Sequence, residues 1–222
     1  MLTDWLEAVI SLIFPRRCPA CRQWAGSRGW CQACIARIAK ARQVAPAVHN
    51  LAWLDECLAA AEYTGAVRNL IRDMKFRRQT RHAGRLGSLL DVALARGRYR
   101  DIQAVVPVPL NRERFKERGF NQTAVIFKPW AARQGFVWLE ALERTRPTLP
   151  QWELSLNERR KNIKGAFAVT RPELVQGKSI LLVDDIFTSG ITMDECARAL
   201  KQAGAVTVKG LALAAGATPA HQ

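Results

Sequence analysis

No apolar run in this chain approaches the roughly 20 residues that a membrane-spanning helix needs, and even Ser179 to Val183 has only the length of a strand. An integral membrane protein is not expected. A secretory signal is missing as well: Asp4 and Glu7 stand where positive charge is required, and no small-residue cleavage site follows the amphipathic segment Leu2 to Phe14. These absences point to an intracellular, cytoplasmic protein whose first helix is short. Histidine is scarce. His49, His82 and His221 are isolated in sequence and match no metal or nucleophile pattern, so surface or cap positions are expected for them. Acidic residues are also in short supply. The chain carries 34 Lys and Arg against 19 Asp and Glu, a net charge of +15, which favours polyanionic partners such as nucleic acid, nucleotides or anionic lipid.

The 222 residues, 49% of them hydrophobic, suffice for one full-sized core and a small appendage. Six cysteines in a reducing compartment argue for metal binding or buried thiols rather than a disulfide framework. Four of them form two knuckles, Cys18-Pro-Ala-Cys21 and Cys31-Gln-Ala-Cys34. A two-residue spacer lets both sulfurs of a knuckle reach one ion, so four thiolates converge on Zn²⁺ in a site closed to substrate, and therefore structural. So small a unit has little core, and metal binding would contribute stability on the order of 10 kcal/mol. A redox-active pair of CxxC disulfides is the competing reading, but no βαβ unit precedes residue 50 to support one. Cys57 and Cys196 have no partner at useful spacing and read as buried small hydrophobes.

Helical character over Gln32 to Arg42 gives way to the weakly periodic Gln43 to Asn50, which places a boundary near residue 50. Residues 1–50 are then an N-terminal helix and zinc module, and 51–222 a second domain. In that domain the spacing predicts strands at Cys57–Tyr63, Ile102–Val108, Phe136–Leu139, Ser179–Val183 and Val206–Leu213. Helices are predicted at Gly65–Phe76, His82–Arg96, Asn121–Arg133 and Met193–Ala203, the last closed by Gly204. Such alternation builds an α/β, mostly parallel sheet flanked by helices, with ligands at the carboxyl ends of the strands. Between two of the strands, Glu143 to Gly165 is polar, contains Pro147 and Pro150, and carries six basic residues, among them Arg159 and Arg160 beside Gln151 and Asn162. It reads as a long functional loop that closes over a reacting centre.

Ser179 to Val183 runs into Asp184-Asp185-Ile186-Phe187-Thr188-Ser189-Gly190-Ile191-Thr192 and then into a helix. The turn Thr188 to Thr192 offers backbone N–H groups, a glycine permitting close approach and three hydroxyls at the positive end of a helix dipole, a combination that binds phosphate. Adjacent carboxylates repel unless sugar hydroxyls or a divalent cation compensate them. Phosphoribosyl pyrophosphate (PRPP) with Mg²⁺ satisfies every group in the segment. The bland alternative is an N-capped helix behind two solvated acids. Upstream, Val106-Pro-Val-Pro109 leads into a basic stretch in which Arg112, Arg114 and Arg118 are placed to grip pyrophosphate, unless Glu113 and Glu117 pair with them on a solvated helix.

The stretch from Leu181 to Thr192 resembles the PRPP signature of type I phosphoribosyltransferases. The resemblance implies that Asp184 and Asp185 bind the ribose 2′- and 3′-hydroxyls and act as the catalytic carboxylates, while Thr188, Ser189, Gly190, Ile191 and Thr192 hold the 5′-phosphate. Thr188 stands where the 6-oxopurine enzymes of that group carry a catalytic Asp, which disfavours oxopurine salvage. The cysteine knuckles, Tyr63 with Lys75-Phe76, Val-Pro-Val-Pro, Arg118-Gly-Phe-Asn121-Gln122, Arg159 with Asn162 and Gly165-Ala-Phe167 follow in an order that resembles the ComF/GntX family. Membership implies a zinc-binding N-terminal module and a role in DNA uptake, natural transformation or use of external DNA as a nutrient, with DNA-uptake machinery proteins as partners. Asn121, Gln122, Arg159 and Asn162 join the arginines as pyrophosphate or loop candidates. Two functions follow: phosphoribosyl transfer to an unidentified acceptor, or a non-enzymatic single-stranded DNA module with the PRPP site as sensor or phosphate pocket. The second draws on the charge, the knuckles, and Trp24 and Trp30 as candidate exposed stacking groups, unless those tryptophans pack over the small zinc module.

Overall fold

The computed structural model describes residues 17–25, 28–95, 97–149 and 154–216. The expected first helix, Gln151 and His221 lie outside them. Strand β1 (Arg42–Gln43) pairs antiparallel with β2 (Glu56–Glu62), and β2, β3 (Ala104–Pro107), β4 (Val137–Trp138), β7 (Ser179–Phe187) and β8 (Thr207–Ala215) run parallel in the order β1-β2-β8-β7-β3-β4. A separate antiparallel pair joins β5 (Leu142–Arg144) to β6 (Phe167–Val169).

Two apolar layers enclose the sheet. One face packs on α2 (Gly65–Arg77), α3 (Ala83–Ala93) and α5 (Gln122–Gln134) through Leu70, Met74, Leu86, Leu90 and Phe127. The other packs on α7 (Ile191–Gln202) through Met193, Cys196 and Leu200. Strands covered on both sides have no polar face to show, which is why β7 opens with an unbroken apolar run. The free thiols Cys57 and Cys196 are fully buried in this second layer, as their isolation predicts.

Several expectations are corrected. The helix foreseen to Arg42 is α1 (Gln32–Ile38), and Arg42 and Gln43 join the sheet. His82 takes the cap position, just before α3, but is buried there, with Nε2 2.8 Å from Gln79 Oε1. Glu143 to Gly165 is not one loop. It starts within β5 and contains α6 (Leu156–Ile163), whose Ser155 and Glu158 form a reciprocal capping box. Nor does the apolar run mark the end of its strand. β7 continues through the acidic pair to Phe187, because Asp184, Ile186 and Phe187 sit in register with Ala212, Ala214 and Ala215 of β8. Backbone pairing needs no apolar side chain, and alanine neighbours leave room for larger groups beside them.

Candidate functional site

β7 brings Asp184 and Asp185 to the carboxyl edge of the sheet, where successive side chains leave opposite faces of the strand and meet different partners. Asp184 Oδ1 accepts from the Asp185 backbone N–H at 2.8 Å and from the Thr123 hydroxyl at 3.2 Å, Thr123 lying in the first turn of α5. Asp185 is 3% exposed and forms a 2.7 Å ion pair with Lys75 Nζ, which arrives from α2. The compensation expected from a ligand therefore comes in part from the chain itself. Removal from water, followed by the charge of Asp185, pushes the Asp184 carboxyl up to about 7, against the opposing pull of Lys75. Asp185 is paired with a lysine, while burial and the charge of Asp185 favour the protonated form of Asp184.

Beyond Phe187 the chain turns through Thr188 to Gly190 and enters α7. Gly190 has φ +75°, and a Cβ there would stand 2.5 Å from both Leu51 Cδ1 and Phe187 Cζ, so only glycine fits this turn. Asp194, in the first turn of α7, accepts the backbone N–H groups of Ala52, Trp53 and Leu54, which ties the preceding loop to the start of the helix.

The acidic pair opens into a cavity of about 680 Å³ that also receives Lys75, Arg114, Arg118, Thr188 and Thr192. Arg118 is buried at the end of α4 (Arg112–Arg118). Its Nη1 donates to Gln122 Oε1, while Nε has no hydrogen-bond partner. Burial lowers its pKa below the ordinary guanidinium value, and Asp185 opposes that shift. Arg114 is half-exposed and 3.4 Å from Glu117, the local pairing foreseen as the alternative. Arg112 does not face the acids. It is highly exposed, 3.9 Å from Glu143, and lines a neighbouring cavity. Asn121 caps α5 by accepting the Thr123 N–H, and its amide donates to Val108 O, which fixes the wall of the cavity.

Ser189 and Arg159 line another cavity, of about 460 Å³, with Thr188. Arg159 Nε donates to Leu154 O, and Asn162 exchanges hydrogen bonds with the backbone of Leu149. Neither reaches the acidic pair. Ile191 is buried in the second apolar layer. Lys75, Thr123 and Arg144 also line the acidic cavity and were not among the site residues expected from sequence. Lys75 had a signal, since it lies four residues after buried Ile71 and so continues the apolar stripe of α2 with a charge.

The sulfurs of Cys18, Cys21, Cys31 and Cys34 lie within 4.8 Å of one another, with Cys21 and Cys31 3.5 Å apart. A tetrahedral ion at about 2.3 Å from each thiolate separates its sulfurs by roughly 3.8 Å, so the four donors fit zinc. The Cys31 sulfur also accepts the Cys34 N–H and caps α1. Of the two readings of Trp30, packing over the module holds and stacking does not. It is 2% exposed and its indole donates to Arg85 O, docking the module on α3, whereas Trp24 is 69% exposed.

Residues 141–220 match the phosphoribosyl transferase domain model, and residues 9–46 match the double zinc ribbon domain model. Together with the sheet order and the cysteine cluster, these define a phosphoribosyltransferase-like protein with an N-terminal zinc ribbon. The chain is 32% identical to the DNA utilization protein YhgH of Salmonella typhimurium, over 89% of this chain and 96% of that protein. It is 34% identical to competence protein F of Haemophilus influenzae, over 50% of this chain and 51% of that one. Competence protein ComFC of Streptococcus pneumoniae matches at 34%, over 52% and 49% of the two chains. The chain belongs to the ComF/GntX family.

Proposed function

We propose that this protein binds PRPP with Mg²⁺ at the carboxyl edge of β7 and serves the uptake or use of external DNA, in the cytoplasm and alongside DNA-uptake machinery proteins. The observation that carries the reading is Asp184 and Asp185 at the rim of one cavity with Lys75, Arg118, Thr188 and Thr192. The names of the relatives support the connection with DNA. The division into a zinc module over residues 1–50 and a phosphoribosyltransferase-like domain over 51–222 is part of the same proposal.

In this reading Asp184 and Asp185 hold the ribose hydroxyls, and the turn from Thr188 to Thr192 takes the 5′-phosphate on its backbone N–H groups. Arg114 and Arg118 grip the pyrophosphate from α4. Bound Mg²⁺ would neutralise charge on the departing pyrophosphate. If transfer occurs, the bond from the anomeric carbon to pyrophosphate breaks with its electron pair leaving on oxygen, a lone pair of the acceptor forms the new bond, and the acceptor proton passes to solvent. Calorimetric titration with PRPP and Mg²⁺ tests the site: Asp185→Asn is expected to weaken binding at least tenfold, and equal affinity rejects the reading. Acceptor-dependent pyrophosphate release tests transfer.

The single-stranded DNA reading is favoured by one observation, Trp24 standing exposed on the zinc module of a chain with net charge +15. Its affinity for an oligonucleotide should fall steeply with salt and drop on Trp24→Ala. No binding at low salt removes it.

A further inference from the structure

The basic residues of this chain are not spread evenly. Residues 68–85 hold seven Lys and Arg against a single Asp, a net charge of +6 out of the chain's +15. Most of that charge sits on α2 and just beyond it. The inner stripe of α2 is apolar, with Val67, Leu70, Ile71 and Met74 buried, and its outer stripe carries Arg68, Arg72 and Phe76 at intervals of four residues. All three are exposed, Phe76 to 68%, and Arg77, Arg78 and Arg81 follow them at the surface.

A solvated helix face is ordinarily laced with opposite charges four residues apart, and like charges at that spacing repel. Arg68 and Arg72 stand at that unfavourable spacing, and neither forms an ion pair or a side-chain hydrogen bond among the described residues. The one acid of the stretch, Asp73, already faces Arg77 at 3.3 Å and His82 at 3.8 Å. Four residues of helix rise about 6 Å. The stripe therefore presents two cations and then an aromatic ring at regular steps, which suits a chain that carries an anion and a flat ring in every repeat. A single-stranded nucleic acid is such a chain, its phosphates taking the guanidinium groups while a base stacks on the ring. An anionic bilayer would meet the same cations, but one aromatic residue gives it little apolar face to enter.

We infer that the outer stripe of α2 is a track for single-stranded nucleic acid, with phosphates on Arg68 and Arg72 and a base on Phe76. Lys75, the residue before Phe76, lines the acidic cavity, so the track ends at the rim of that cavity rather than on the zinc module. The inference rests on the single-stranded DNA reading and moves its contact surface from Trp24 to α2.

Fluorescence anisotropy of a labelled oligothymidine, titrated with the full chain over a range of salt concentrations, makes the test. Each phosphate contact contributes about 0.7 to the slope of log affinity against log salt, so the double variant Arg68→Gln with Arg72→Gln should flatten that slope by about 1.4. Arg98→Gln with Arg133→Gln removes two cations that already pair with carboxylates and should leave the slope unchanged. Phe76→Ala should weaken binding about fivefold or more at every salt concentration without altering the slope, and Phe76→Trp should restore it. All five side chains are exposed, so the variants should fold, which circular dichroism melts check. If the α2 variants bind like wild type while Trp24→Ala binds weakly, the inference falls and the single-stranded DNA reading stands on the zinc module. Loss in the α2 variants with none in Trp24→Ala supports the inference and removes Trp24 as the contact. A double variant that releases phosphatidylserine vesicles but still holds the oligonucleotide overturns the track in favour of a lipid surface. A wild type that binds no oligonucleotide at low salt overturns both the inference and the reading beneath it.

Discussion

Between Arg17 and Ile38 the described backbone makes one isolated antiparallel bridge, Arg17 to Trp24, and a seven-residue helix, whereas β7 and β8 pair along nine residues each and bury their central side chains completely. The cysteine module and the sheet centre therefore hold their shape by different means. In the sheet, apolar burial on both faces and a continuous hydrogen-bonded ladder make every residue depend on its neighbours. In the module, four cysteine sulfurs converge within a short stretch, and Ala25, Trp30 and Ile35 anchor it to the apolar layer that includes α3. Charge is also handled differently. The module gathers four sulfurs that fit one ion, while the sheet buries Asp185 and supplies Lys75 to match it.

The largest effect that separates the two regions is removal of zinc. Stripping the metal with a strong chelator should cost the module stability on the order of 10 kcal/mol, and amide hydrogen exchange over residues 17–40 should rise toward unprotected rates while residues 179–187 and 207–215 keep their protection. Equal loss of protection in both regions would show that the module is a structural part of the sheet domain.

Next in size is Gly190→Ala, which tests the turn where the sheet meets α7. The positive φ and the contacts with Leu51 and Phe187 together should cost about 2–4 kcal/mol, lowering the melting temperature by roughly 4–16 °C. PRPP binding should weaken in the same variant, since the turn cannot keep its shape. A melt within a degree of wild type would mean that the turn relaxes freely, unlike the strands on either side.

Asp184→Asn acts in the opposite direction. A carboxyl whose folded value is raised to about 7 stabilises the fold below its ordinary value, and that contribution is lost as pH rises through 7. At pH 8 the charge is present and unfavourable. Asparagine removes it and keeps an oxygen for the Thr123 hydroxyl and the Asp185 N–H, so the unliganded variant should melt higher than wild type at pH 8, by about 1–2 kcal/mol after allowance for screening, or roughly 2–8 °C. Below pH 4 the difference should vanish. Melting curves at both values decide it, and a lower melt at pH 8 would mean that Lys75 shelters both carboxylates.

Much of this contrast was legible in the sequence. Two CxxC pairs fix their sulfurs through covalent geometry, so the cluster follows from spacing alone. Long elements such as α2 and β7 declare themselves because burial repeats along them. β5 and β6 were not legible, since three residues show no periodicity, and α6 was missed although Ser155 and Glu158 carry the capping-box spacing. Within the site, Asp184, Asp185 and the turn could be read because they are contiguous. Lys75, Thr123 and Arg144 come from three other elements, and only the topology places them beside β7. Arg112 shows the converse, since proximity in sequence to Arg118 says nothing about which cavity its side chain faces.

The smallest expected effect sharpens that last point. Arg112→Ala removes a guanidinium that is highly exposed and 3.9 Å from a half-exposed Glu143, a separation at which solvent screens most of the attraction. Its melting temperature should stay within about 2 °C of wild type. Its PRPP affinity should change less than that of Arg118→Ala, because Arg118 is buried beside Asp185 and lines the acidic cavity whereas Arg112 lines the neighbouring one. Titration of both variants with PRPP and Mg²⁺ ranks them. A larger loss for Arg112→Ala would mean that α4 rotates its exposed face inward when ligand binds, and the division between a solvated helix face and a compensated strand edge would then hold only for the unliganded protein.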